Sequence, residues 1–266
     1  MVLVSCSTRA ATLTVSPIKV NSSLPAPPVM PSITTPELIP MQSEARRPTA
    51  QHQIAPCFGE DYIVAVSGGY PGAMLEVIDK GCSSESHPVP LLFVHGGWHG
   101  AWCWDEHFLD FFVDKGYRTV ALSLRGHGNS PAGKRNYSIA DLVADVGSVA
   151  ETLPSRPVVI GHSMGGFIVQ KYLESYAAPA GVLLATMPSR GIGGWLLRQW
   201  KRHPFQMVRA TVTTKLSCTP KLARELFFSP EAPESDVVRY AARLGEENSG
   251  RLMLDMALLS LPKLNA

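Results

Sequence analysis

Pro157-Val158-Val159-Ile160-Gly161-His162-Ser163-Met164-Gly165-Gly166-Phe167-Ile168-Val169-Gln170-Lys171-Tyr172-Leu173 is the stretch whose reading decides the fold. Its first four residues suit a buried strand, and the residues after Gly166 suit a helix, so the chain turns sharply at a serine. Glycines two before and two after that serine let neighbouring backbone approach closely, while the serine holds a strained φ/ψ and points its hydroxyl outward. This is the context that a G-x-S-x-G nucleophile elbow requires. The hydroxyl would also lie at a helix N-terminus, where unpaired N–H groups favour developing negative charge. A chain with 22 glycines produces such a pattern by chance, so the flanking strand and helix carry the weight. The competing reading is a glycine-rich strand-helix turn with a bystander serine.

Outward from Ser163, strands and helices alternate. Residues 62–67 and 73–78 read as an opening hairpin around Gly68-Gly69-Tyr70-Pro71-Gly72. Strand 89–94 is followed by helix 101–115, strand 117–124 by helix 138–152 with Asn136 or Ser138 as cap, and strand 157–161 by helix 164–178. Strand 181–187 comes last. This alternation predicts an α/β fold with a mostly parallel sheet. From about Pro188 the text is helix-like to the end.

A second loop lies upstream. Val89-Pro90-Leu91-Leu92-Phe93-Val94 reads as a buried strand, followed by His95-Gly96-Gly97-Trp98-His99-Gly100-Ala101-Trp102-Cys103-Trp104; Leu124-Arg125-Gly126-His127-Gly128-Asn129-Ser130 forms a further turn. From about Tyr62 onward the chain resembles the α/β-hydrolase superfamily on these three motifs. The wording of the 95–104 loop is similar to plastid-type hydrolases and to the methylesterase and hydroxynitrile lyase branch. The resemblance implies a serine hydrolase cleaving a carboxylic ester of a lipid or small acyl compound. Ser163 would be its nucleophile, and the backbone N–H groups of Gly97 and Met164 its oxyanion hole. Trp98, His99 and Trp195 are candidate substrate contacts. Lyases of that branch carry threonine after the loop histidine, where this chain has Gly96, which favours hydrolysis. The 124–130 turn is given a structural role only. A non-catalytic ligand-binding protein or pseudoenzyme, and a cofactor-free lyase or acyltransferase, are the alternatives.

The family's triad acid and base follow the serine. Downstream of Ser163 stands one histidine, His203, in a basic stretch better suited to a surface. Glu225, Glu231, Asp236, Glu246 and Asp255 lie in amphipathic segments, where a solvated face is expected. The 206 residues from Asp61 are fewer than the ~250 of a comparable domain. The reading is therefore of an incomplete hydrolase domain over 57–266 with impaired turnover. Its helical lid would span about 188–266, with Trp195, Leu196 and Trp200 on one side of a helix and Arg198, Lys201 and Arg202 on the other. Such a lid suits peripheral contact with lipid or an apolar acyl chain; the competing and plainer reading is a core-facing stripe with a solvated basic back. Leu252, Met253, Met256, Leu259 and Ser260 form a second stripe, fit either for an acyl pocket or for ordinary packing.

Composition sets the remaining bounds. The chain is 45% hydrophobic and 17% charged with formal net charge +2, which offers no argument for nucleic acid. Five scattered cysteines without C-x-x-C spacing fit a reducing compartment. No metal-ligand spacing and no phosphate-binding glycine motif is present, so no cofactor is expected, and no obligate protein partner is evident. Residues 1–36 contain no acid, two cations, eleven Ser/Thr and six Pro. This resembles a plastid transit peptide, with residues 1–56 a structureless tail and linker; a non-targeting tail on a cytoplasmic protein is the other reading.

Overall fold

The computed structural model describes residues 2–5, 14–17, 62–67, 74–133, 137–187, 193–205, 208, 216–217, 219–247 and 249–258. Its centre is a six-stranded sheet built from β3 (Tyr62–Ser67), β4 (Met74–Lys80), β5 (Leu91–Val94), β6 (Thr119–Leu122), β7 (Val158–His162) and β8 (Gly181–Leu184). Their order across the sheet is β3-β4-β6-β5-β7-β8. The opening hairpin pairs antiparallel, β4 pairs antiparallel with β6, and the remaining neighbours are parallel, so the expected α/β class with a mostly parallel sheet is what forms. Within the tail expected to lack structure, β1 (Val2–Ser5) pairs antiparallel with β2 (Thr14–Pro17) and packs beside the edge strand β8. The first carries Val2 and Val4 and the second Thr14 and Val15, whose branched side chains suit a strand.

All four residues of β5 are buried. Leu92 and Val94 join Val120, Leu122 and Val159 beneath α3 (Ile139–Thr152) and α4 (Met164–Ser175). Leu91 and Phe93 face the other way, with Ala121, Ile160, Trp104 and Leu109. Period-two alternation thus feeds two cores, which is why these strands read as unbroken apolar runs. Helix α3 begins at Ser138 through a capping box: the Ser138 hydroxyl accepts from the Asp141 N–H, and the Asp141 carboxylate accepts from the Ser138 N–H.

The single helix expected over 101–115 is instead two, α1 (Trp102–Asp105) and α2 (Phe108–Val113), broken at His107 with φ −152°. Five residues apart on a continuous helix, Trp104 and Leu109 would point about 140° apart; the break lets both bury against the sheet.

Beyond Met187 lies a cap of α5 (Gly193–Arg202), α6 (Pro220–Phe227), α7 (Glu234–Ala241) and α8 (Ser249–Leu258). It is not all helical. Leu216–Ser217 (β9) and Glu246–Glu247 (β10) form a short antiparallel ladder, which the helix-like reading missed. Glu106 anchors α7 by accepting from Arg239 Nη1 at 2.9 Å and from Arg243, while Tyr240 stacks on Trp102. Glu225, Glu231 and Glu246 are exposed, but Asp255 is buried, contrary to the solvated role expected of it. Its Oδ2 accepts from the Ile139 N–H at 3.0 Å, putting a carboxylate at the positive end of α3.

Candidate active site

Ser163 stands between β7 and α4 with φ 52° and ψ −115°. The neighbouring structure holds that left-handed conformation: the Ser163 N–H donates to Leu184 O at 3.0 Å, extending the sheet, and its carbonyl accepts from the Phe167 N–H at 3.3 Å, opening the helix. Both flanking glycines are needed. A Cβ on Gly161 would lie 2.4 Å from Gly165 O, and one on Gly165 would lie 2.3 Å from Val94 O. The 95–99 loop lies against this turn, since a Cβ on Gly96 would approach Ser163 Cβ to 3.2 Å. The threonine of the lyase branch would be crowded at that position.

Ser163, Gly97, Met164, Trp98 and His99 together line one cavity of about 260 Å³. Ala185, Thr186, Met187, Leu226, Phe227 and Met256 add mostly apolar wall, and Arg198, His162 and Glu247 add polar groups. Among the described residues, three non-glycines have left-handed φ, namely Trp98 (63°), Ser163 and Ala185 (42°), and all three line this cavity. Backbone strain of about 1–3 kcal/mol per residue persists where surrounding structure over-determines it.

The loop's strain is held by the cap. Trp98 N–H donates to Glu247 Oε2 at 2.9 Å, and Trp98 O accepts from the Gly245 N–H at 2.8 Å. Phe227 of α6 meets the rings of Trp98 and His99 edge-on at 5.9 and 5.0 Å. Trp98 and His99 thus take their positions from both sides of the seam between sheet and cap.

Three buried groups set the electrostatics. His95 Nε2 accepts from the Leu124 N–H at 3.0 Å, which leaves its proton on Nδ1 to donate to Gly96 O at 2.7 Å. Burial, and then the positive charge of His127, hold its pKa well below the usual histidine value, so it is neutral. His127 faces two acceptors, Arg125 O at 3.0 Å from Nδ1 and Glu247 Oε2 at 3.0 Å from Nε2, and so donates from both nitrogens as an imidazolium. Burial alone would lower its pKa, but the Glu247 carboxylate outweighs that and raises it. Burial would likewise raise the pKa of Glu247, yet the charge and hydrogen bond of His127 bring it below the ordinary value.

Trp195 falls in α5, its side chain outside the described residues, as are the side chains of Leu196 and Met253, and Leu259 and Ser260. Arg198, expected on the solvated back of that helix, is exposed and also borders the cavity, and Trp200 is 44% exposed. Of the second stripe, Leu252 and Met256 are in the core and Met256 reaches the cavity. His203 pairs with Glu225 at 3.0 Å and takes no part in the cavity wall. Sequence reasoning missed Glu247, Phe227 and the pairing of His127. Glu247 is one of two adjacent glutamates in an acidic, polar stretch, and its local pattern carries no sign of burial. Among the described residues no group of three or more His, Cys, Asp or Glu is placed to hold a metal, and no helix is long and apolar enough to cross a membrane.

Comparison with known proteins gives the same architecture a wider setting. The chain is 39% identical over 105 residues to a non-heme chloroperoxidase of Burkholderia pyrrocinia, covering 37% of each protein. It is 35% identical over 160 residues to a non-heme haloperoxidase of Rhodococcus erythropolis, covering 56% of each. A 103-residue stretch is 37% identical to protein phosphatase methylesterase 1 of Bos taurus, over 37% of this chain and 27% of that one. The matched stretches therefore span about a quarter to just over half of these relatives' own lengths. Among solved structures, the epoxide hydrolase VrEH1 of Vigna radiata superposes with TM-score 0.54 at 20% identity, over 75% of this chain and 72% of that chain. A structure from a study of carboxylesterases of the ammonia-oxidizing Thaumarchaeon Nitrososphaera gargenis gives 0.53 at 20% identity, over 73% of this chain and 71% of that chain. At such identities the structures establish the fold alone. The sequence profile of the alpha/beta hydrolase family matches residues 91–263, about two thirds of the chain, and the chain belongs to that family.

Proposed function

We propose that Ser163 is the nucleophile of a serine hydrolase acting on a carboxylic ester, with the Gly97 and Met164 N–H groups receiving the oxyanion. The observation that carries this reading is the strained Ser163, opening beside Gly97 and Met164 into a largely apolar cavity. The Ser163 Oγ–carbonyl carbon bond would form as the hydroxyl proton passes through solvent to the departing alkoxide, which leaves as the alcohol; water would then add to the acyl carbon, return a proton to Ser163 Oγ and release the acid. Preset N–H donors of this kind lower the barrier by about 3–4 kcal/mol each. A volume of about 260 Å³ sits at the small end of ligand pockets, favouring a short acyl group over a long lipid chain. The exposed Leu197 and Trp200 beside Lys201 and Arg202, with the exposed Phe205 just after the helix, support contact of α5 with a lipid surface.

Among the described residues, no imidazole hydrogen-bonds the Ser163 hydroxyl. That observation favours slow turnover, and it keeps a ligand-binding role as the second reading. A fluorophosphonate probe tests both. Slow labelling located on Ser163 by mass spectrometry and abolished in Ser163→Ala is the expected result. Labelling elsewhere would remove Ser163 as the nucleophile, and labelling as fast as that of an intact Ser-His-Asp enzyme would remove the impairment.

A further inference from the structure

Among the described residues, Arg198 is the one Lys or Arg in the wall of the Ser163 cavity, and it is exposed. A Cβ on Gly194 would stand 4.0 Å from Arg198 Nη1. The guanidinium is therefore turned back over the first turn of α5, the end that follows Ala185, Thr186 and Met187 of the same cavity wall. Arginines on or beside the other cap helices are spent on carboxylates: Arg224 on Glu234, Arg239 and Arg243 on Glu106, and Arg251 on Asp255. Arg198 has no such partner among the described residues. Its sequence neighbourhood offers none, because Pro188 to Arg224 holds eight Lys or Arg and no Asp or Glu, which leaves no acid three or four residues away on the helix.

The other titratable groups of the wall cancel or carry no charge. Glu247 is balanced by the His127 imidazolium at 3.0 Å. Burial holds His99 and His162 below the usual histidine pKa, so both are neutral at pH 7. The net charge facing the cavity is thus the single positive charge of Arg198, in a segment whose own cations reinforce it. We propose that Arg198 is a specificity-determining residue that binds a carboxylate carried by the substrate, so that the preferred substrates are small acidic esters. This rests on the reading of Ser163 as the reactive group of the same cavity. Ser163 is fixed on the sheet side and Arg198 on the cap side, with Met187, Leu226, Phe227 and Met256 adding apolar wall, which suits a short methylene chain joining the ester to the charge. A carboxylate fits better than a phosphate. One guanidinium fork matches its two oxygens and its single charge, and neither Lys201 nor Arg202 stands in the wall to meet a second.

The test uses the full chain and three unreactive ligands that share a tertiary amide in place of the ester: N,N-dimethylglutaramate, its primary-amide isostere and its phosphonate analogue, titrated by tryptophan fluorescence or calorimetry. The carboxylate is expected to bind about 5- to 10-fold more tightly than the neutral amide, between the worth of an exposed ion pair and that of a hydrogen bond to a charged group. Arg198→Gln removes the charge at an exposed helix position with little change in helix propensity, and should erase the preference. Arg198→Lys keeps the charge without the fork and should restore part of it. Arg202→Gln, which lowers the net charge equally but lies outside the wall, should leave the preference intact. Equal binding of carboxylate and amide, or a preference unchanged in Arg198→Gln, overturns the proposal. So does an equal loss in Arg202→Gln, which would assign the effect to the general basic field. Tightest binding by the phosphonate overturns the choice of carboxylate. Co-sedimentation with phosphatidylserine vesicles that falls in Arg198→Gln, with no carboxylate preference in solution, would give Arg198 to a lipid surface instead. Fluorophosphonate labelling separates this proposal from the one it rests on. Carboxylate preference without labelling of Ser163 sinks the hydrolase reading alone, whereas labelling of Ser163 without carboxylate preference sinks the role of Arg198 alone.

Discussion

The sheet-and-helix core between Met74 and Met187 and the cap between Gly193 and Leu258 are held together by different physics. In the core, strands buried on both faces are packed so closely that glycine hydrogens touch backbone: Gly161 and Gly165 leave no room for a methyl group. In the cap, short helices are tied to the core by a few apolar side chains, Leu252, Met256, Phe227 and Tyr240, and by a few polar contacts, those of Glu106, Asp255 and Glu247 and the two backbone groups of Trp98. The difference teaches where each part of the chemistry resides. The core imposes the strained geometry of Ser163, and the cap adds Arg198, Leu226, Phe227, Glu247 and Met256 to the cavity wall. Polar contacts can be broken and remade at far less cost than a packed strand crossing, so selection is placed where adjustment is possible.

The sharpest way to break this comparison is to add one methyl group to the core. Gly165→Ala would put Cβ 2.3 Å from Val94 O, and Gly161→Ala would put it 2.4 Å from Gly165 O; neither backbone oxygen can move without opening the sheet. Each substitution is expected to cost more than about 3 kcal/mol, read by urea denaturation, and to leave little soluble protein. A variant within about 1 kcal/mol of the unsubstituted chain would mean that the elbow is not packed as described.

Next in size is the seam. His127→Gln leaves the buried Glu247 without its counter-charge, and breaking such a pair costs about 3–5 kcal/mol. Its pH dependence has a definite sign. The raised His127 pKa gives stability that is complete below about 6.5, its ordinary value, and is lost as pH rises through the elevated value in the folded chain. The lowered Glu247 pKa gives stability present above about 4.5 and lost as pH falls through the depressed folded value. The seam should therefore be firmest between those two pH values. Hydrogen exchange at the Trp98 and Gly245 amides is the local probe, because both lie in hydrogen bonds across the seam. Protection corrected for intrinsic exchange should fall on the alkaline side in the unsubstituted chain, and His127→Gln should abolish that limb. Flat protection across the range would show that the pair does not hold the cap.

The same division explains what could be read from the amino-acid sequence. Ser163 and its glycines were legible because the elbow's demands are local: a strand, a tight turn and a helix within seventeen residues. Gly97, Trp98 and His99 were legible through their motif and the strand before it. The pairing of Glu247 with His127 joins residues 120 positions apart, and nothing in Gly245-Glu246-Glu247 distinguishes an exposed glutamate from one that will be buried. Asp255 was misjudged for the same reason, since its partner, the Ile139 N–H, is 116 positions away. Arg198 is exposed as the helix's amphipathic pattern requires, but that it also borders the cavity depends on where the cavity lies, which the pattern does not carry. Local chemistry survives translation into sequence; cap contacts made across long separations do not.

The smallest effect is expected from repeating the methyl addition in the cap. Gly194 lies in the first turn of α5, and a Cβ there would meet nothing closer than Arg198 Nη1 at 4.0 Å, the end of a flexible side chain. No crowding opposes Gly194→Ala, and alanine lowers the entropy cost of forming a helix by up to about 1 kcal/mol relative to glycine in a helix interior. In the first turn only part of that gain is available, because the residue's N–H has no intrahelical partner. The expected outcome is a stability unchanged or raised by a few tenths of a kcal/mol, with ligand affinity preserved because Arg198 keeps its position in the cavity wall. Urea denaturation of Gly165→Ala and Gly194→Ala side by side reads the contrast directly. A loss at Gly194 as large as that at Gly165 would mean that the cap is as tightly packed as the core, and that selection at this site must be explained by rigid fit instead of by a yielding seam.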